Sequence, residues 1–116
     1  MSEAVKQKFL VLFLAPNAVI DDWMKTAPEV RAPAEQKMRA EWDAWMGKHA
    51  AMILSTEAGG KTKRVTSGGA TDARNEIMLV SYVEAESQEA AAKAFESHPH
   101  LGIPQASIEV MAVRAM

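Results

Sequence analysis

Apolar residues run unbroken from Phe9 to Ala15 and stop at Pro16-Asn17. A run this short, apolar at both odd and even positions, reads as a central strand covered on both faces, placed at Lys8–Leu14. Ile77 to Val83 repeats the pattern and predicts a second such strand. Between them, Met38, Trp42, Trp45, Met46 and His49 recur at steps of four, three, one and three, one stripe of a helix. That helix is expected from about Ala34 to Ala51, with Pro33 in its first turn, where a missing N–H costs nothing. A shorter helix containing Trp23 is expected over Ala18–Lys25.

The second half carries clearer punctuation. Ile53-Leu54 starts a short extended segment. Gly59-Gly60 and Gly68-Gly69 bracket Lys61–Ser67, which Thr62, Val65 and Thr66 mark as a strand. Thr71–Asn75 reads as a turn. Ser87 is placed as an N-cap with Glu89 in the first turn behind it. His98-Pro99 stops that helix, because a residue before proline avoids the α region. Ala106–Val113 closes the chain as a strand, with Ile108, Val110 and Ala112 on one face and Ser107, Glu109, Met111 and Val113 on the other.

Strand, helix, strand, strand, helix, strand is the split β-α-β order of a ferredoxin-like α+β sandwich with an antiparallel sheet. Helices cover one face of such a sheet. The strands are apolar on both, so a second copy of the chain, forming a dimeric α/β barrel, is the expected cover for the other. With 116 residues the chain is read as one domain, residues 1–116.

Composition narrows the function. The net charge of −2 leaves no basic stripe for nucleic acid. The one basic cluster, Lys61-Thr62-Lys63-Arg64, is read as a solvated hairpin edge. No cysteine is present, which excludes thiol nucleophiles and thiolate metal sites. No apolar run approaches bilayer length. Met1-Ser2-Glu3-Ala4 lacks the features of a signal peptide, so cytoplasmic residence is the default expectation. No cofactor is implied.

Several residues could carry chemistry. His98 and His100 flank Pro99, and such a pair can supply a general base and its helper, or simply close a helix. Glu109 faces away from Ile108 and Val110, toward the expected dimer interior, as an acid–base group or half of an ion pair with Arg64 or Arg114. Tyr82 shares a strand face with Met78 and Val80 and is expected to line the same interior. His49 lies on the Trp42–Trp45 stripe. Tyr82, His49 and Arg64 are therefore candidate substrate contacts, and His98, His100 and Glu109 candidate catalytic groups. No metal site is expected. Gly59-Gly60-Lys61-Thr62 imitates the end of a phosphate-binding loop, but Ser55 stands where its first glycine belongs.

Glu89 to Phe95, His98-Pro99-His100-Leu101 and Ser107 to Val113, together with Trp42-x-x-Trp45-Met46-Gly47 and Gly59-Gly60, resemble the YCII-related family from about Trp42 onward. The resemblance implies a dimeric α/β-barrel fold and little about activity. The His–Asp pair of some members is not carried over: its histidine position falls near Lys37 or Met38. Asp72-Ala73-Arg74-Asn75 stands where one branch has D-G-P-F, and Ala112 replaces a proline. The leading expectation is a small-molecule-binding homodimer, with cofactor-free proton transfer, isomerisation or elimination on a small aromatic or carboxylated substrate as its chemistry. The alternative is a non-catalytic accessory or protein-interaction module.

Overall fold

The computed structural model describes residues 5–116; the segment Met1-Ser2-Glu3-Ala4 lies outside them. Strands β1 (Gln7–Leu14), β2 (Ile53–Ala58), β5 (Ile77–Ala85) and β6 (Ser107–Ala112) form one sheet in the order β2-β5-β1-β6. Every neighbouring pair is antiparallel. Helices α1 (Asn17–Lys25) and α2 (Pro28–Lys48) join β1 to β2, and α3 (Gln88–Phe95) joins β5 to β6. This is the ferredoxin-like arrangement, and the sheet is open at its edges.

One face of the sheet builds the core. Phe9, Val11 and Phe13 of β1 are fully buried, with Val83 of β5, and α2 and α3 add Trp45, Ala91 and Phe95. Ser81 is buried on this face too and is satisfied by the Thr56 hydroxyl at 2.7 Å. Ser87 caps α3 through its Oγ, which accepts the Ala90 amide at 3.0 Å. The alternate residues of β1, Leu10, Leu12 and Leu14, are only half-buried. Within one chain β1 is therefore covered on one face, not two.

Three expectations are corrected. Helix α2 starts at Pro28, so Pro33 lies inside it. Pro33 removes the N–H that would reach the Glu29 carbonyl. Both residues are exposed, so water can take the freed acceptor. The helix ends at Lys48 with His49 as its C-cap. The sheet strand preceding β5 is β2, not the Lys61–Ser67 segment. The latter is β3 (Thr62–Thr66), which pairs with β4 (Gly69–Ala73) in a separate two-stranded hairpin. Gly69 opens β4 at φ +123°, a conformation that glycine adopts freely. Thr71–Ala73 thus lies in a strand where a turn was expected.

The hairpin and the front half of α2 project from the body. The radius of gyration is 16.6 Å, against about 13 Å for a compact chain of this length. No helix of the described residues is long and apolar enough to cross a membrane.

Phe13→Ala is expected to cost about 3–5 kcal/mol in urea unfolding, because it empties the centre of the core. Ser87→Ala is expected to cost about 1 kcal/mol, the worth of one N-cap. Equal costs would contradict this placement of the core.

Candidate functional site

The chemistry-bearing residues fall into three separate places. The first is the core. His98 and His100 are 3% and 1% exposed, on the helix-covered side of the sheet. His98 caps a short 3-10 helix, Pro99–Gly102, by accepting the His100 amide on Nδ1 at 3.0 Å. An accepting Nδ1 puts the proton of the neutral ring on Nε2. That Nε2 is buried with no hydrogen-bond partner among the described residues. Its ring sits 4.3 Å from Trp42, 4.6 Å from Trp45 and 5.0 Å from Phe13, centroid to centroid. Aromatic π density, a weak acceptor, is what surrounds it. Burial pushes the His98 pKa down to about 4, with smaller repulsion from His100 and His49. His100 donates from Nε2 to the Leu14 carbonyl at 2.8 Å. Burial lowers its pKa as well, opposed by its backbone bonds to Leu14 and Ser107.

His49 is also tied to helix structure. Its Nδ1 donates to the Trp45 carbonyl at 2.9 Å, and its ring stacks on Trp45 at 4.2 Å. Trp45 in turn donates from Nε1 to the Ala94 carbonyl at 3.1 Å, joining α2 to α3. Among the described residues no group of three or more His, Asp or Glu is placed to hold a metal.

The second place is the uncovered face of the sheet. Register sets its rows. Ser55, Tyr82, Leu10 and Met111 lie side by side across the four strands, and Glu57, Val80, Leu12 and Glu109 form the next row. Lys8 lies over the Tyr82 ring at 4.6 Å. Glu109 and Tyr82 therefore share this face. The two histidines do not: they pack around Phe13, whose β6 partner is Ile108, not Glu109. Glu109 is separated from His98 and His100 by the sheet itself, so the three expected catalytic groups form no common site in the chain. Arg64 is apart from both, exposed on β3 opposite Thr71.

The third place was not singled out from the sequence. A cleft of about 860 Å³ lies between the hairpin base and the start of α1. Its floor is apolar: Ala15, Ile20, Ile77 and Met78. Its polar wall carries Lys61, Lys63 and Arg74 against Asp72 and Glu76. Gly59 lets β2 approach β5 here; a Cβ on it would stand 3.1 Å from the Ile77 carbonyl oxygen. Asn75 shapes the corner, donating to the Thr62 hydroxyl at 3.2 Å and accepting the Ile77 amide at 2.9 Å. Glu76 caps α1 by accepting the Asn17 amide at 3.0 Å. Lys63 pairs with Asp72 across the hairpin, and Arg74 pairs with Asp21 of α1. Lys61 has no ion-pair partner among the described residues. The basic cluster read as a solvated edge thus forms one wall of a cleft. The available signal was the spacing of Lys61 and Arg74 around the two glycine pairs. Nothing local shows that α1 closes the other side.

No family model matches the sequence, and no curated protein matches it. Among solved structures, the chain is similar to 5-chloro-2-hydroxyhydroquinone dehydrochlorinase from Burkholderia phenoliruptrix AC1100, solved with 2,5-dihydroxybenzoquinone. Identity is 20%, the TM-score is 0.45, and 88% of this chain and 90% of that one are covered. It is also similar to an unknown protein from Galdieria sulphuraria, at 9% identity and a TM-score of 0.35. That match covers 97% of this chain and 47% of the other. No residue role is carried over from either.

His98 gives a pH prediction. Above about 6.5 the ring is neutral both folded and unfolded. Between there and about 4 the unfolded chain takes up a proton that the folded core refuses. Stability is therefore expected to fall as pH falls across that window, by on the order of 3 kcal/mol from this group. Urea unfolding between pH 4 and 7 measures the slope. His98→Asn, which keeps an acceptor for the His100 amide, is expected to flatten it.

Proposed function

We propose that this chain is a small-molecule-binding protein that works as a homodimer. The ligand occupies the cleft at the hairpin base, and the second copy covers the open sheet face. The cleft carries this reading. It joins an apolar floor to a polar wall of mixed charge in which Lys61 is unpaired among the described residues, a combination that suits a small molecule with an apolar body and a polar or anionic group. The open face supports the dimer. Leu10, Leu12, Val80 and Met111 form an apolar strip with no cover within the chain, and Met111 is 48% exposed. The projecting hairpin supports it too, since a two-stranded hairpin alone is marginally stable. The YCII-related resemblance agrees with both, and membership of that family and cytoplasmic residence belong to the same reading.

Binding is better supported than catalysis. Three of the four ring nitrogens of His98 and His100 are engaged with backbone groups or buried among indoles, which leaves these histidines poorly placed to meet a substrate. If the dimer also moves a proton, Glu109 is the expected group, because it stands beside Leu12 on an apolar face. Tyr82 would share the enclosed face with it, one row along and on the far side of β1. A protein-interaction module is the second reading, favoured by the same open face.

Two measurements separate these. A thermal-shift screen with small carboxylic and aromatic acids is expected to raise the melting temperature by mass action. Lys61→Glu should abolish the shift and Glu109→Gln should leave it. The reverse pattern would move the ligand to the open face, and no shift with any acid would favour the interaction module. In sedimentation, the protein is expected at twice its 12.6 kDa chain mass. Leu12→Asp should give a folded monomer. A wild-type monomer would contradict the dimer.

A further inference from the structure

We propose that Arg74 is the carboxylate-binding residue of the cleft and that Asp21 occupies it in the empty protein, so that a ligand carboxylate binds by displacing Asp21. This rests on the reading that the cleft binds a small molecule, and it names the ligand class and the gate.

The geometry of the pair is that of a bound carboxylate. Arg74 Nη2 donates to Asp21 Oδ1 at 2.8 Å, and Nη1 donates to Oδ2 at 3.0 Å. Two parallel bonds from a planar fork are the arrangement in which arginine recognises a free carboxylate. Arg74, which lines the cleft, therefore already holds one such group at the cleft's margin, supplied by the chain from 53 residues away.

Asp21 is held in a way that permits exchange. The side chains of Arg74 and Asp21 are 57% and 48% exposed, and ion pairs in water contribute little to stability. Replacing one carboxylate by another leaves Arg74 paired throughout and strands no buried charge. Asp21 also has somewhere to go. Lys25 lies one turn along the same helix and already favours its ionised form. Helix α1 has no buried residue, so no core contact has to break.

The rest of the cleft selects for a carboxylate with an apolar body. Lys61 adds a cation without an ion-pair partner among the described residues. Ile20, Ile77 and Met78 present a surface for a ring or a short chain. A neutral amide of the same shape could not take both bonds from the Arg74 fork, because its nitrogen donates and does not accept.

The test uses benzoate as the probe and benzamide as its neutral counterpart. Both are titrated into the full chain at low ionic strength, followed by calorimetry and by the NMR signals of Ile77 and Met78. Wild type is expected to bind benzoate and discriminate against benzamide. Asp21→Asn is expected to tighten benzoate about fivefold, the scale of removing one exposed competing ion pair. Asp21→Ala should do the same, which guards against an effect peculiar to asparagine. Arg74→Gln should abolish binding, alone and combined with Asp21→Asn. An Asp21→Asn variant that binds benzoate no better than wild type, or an Arg74→Gln variant that binds it equally well, would overturn the proposal and leave the pair as a staple between α1 and the hairpin. If benzoate binds no variant but phenol still shifts Ile77 and Met78, the proposal falls and the cleft reading stands. If neither binds, both fall.

Discussion

The attachment of helix α2 to the sheet depends on one knot of rings. Phe13, next to the end of β1, touches Trp42, Phe95, His98 and His100, with centroids 5.0 to 5.9 Å apart. Only the rear half of α2 reaches this knot. Its front half is almost wholly exposed. Two polar contacts fix the knot in place: Trp45 donates to α3, and His100 donates to the end of β1. His98 holds the turn between them by capping it. Imidazole serves here as a flat, compact aromatic with a hydrogen-bonding edge. Its low pKa follows from being used that way, since a charged ring would be stranded among apolar neighbours.

This use of the histidines decides where function can reside. Both rings are turned into the core on the helix-covered face, away from solvent. What remains accessible is the opposite sheet face and the edge where the hairpin departs. The first is apolar with carboxylates at its flanks, suited to assembly. The second is a cleft with a wall of mixed charge above an apolar floor, where the proposed ligand would sit. The cleft arises from the insertion of β3 and β4 between β2 and β5. That insertion carries Lys61 and Arg74 to the end of the sheet where α1 begins.

Much of this was legible in the residues, and the failures have physical causes. The two apolar runs marked β1 and β5, and the Ser87 cap marked α3, because these signals are local. The alternation in β6 separated Ile108 and Val110 from Glu109 correctly, since side chains of a strand must alternate. Pro33 misled because Pro28 took the first helical position and water tolerates the bond that Pro33 loses. Thr71-Asp72-Ala73 looked like a turn by composition, yet pairing with Thr62–Arg64 draws it into a strand. The His-Pro-His turn resembled a site because sequence shows spacing and not burial. The Asp21–Arg74 pair was invisible for a similar reason: its members are far apart in the chain, and nothing near either one points to the other.

The most direct test of this division of labour is the protonation state of His98 in solution. Long-range nitrogen–proton NMR spectra identify which ring nitrogen carries the proton, and a pH titration follows it. The expected result is the Nε2–H tautomer at neutral pH, with no imidazolium until pH approaches about 4. A ring that protonates near 6.5, or that carries its proton on Nδ1, would show His98 to be a free acid–base group and would return the turn to the list of reactive sites.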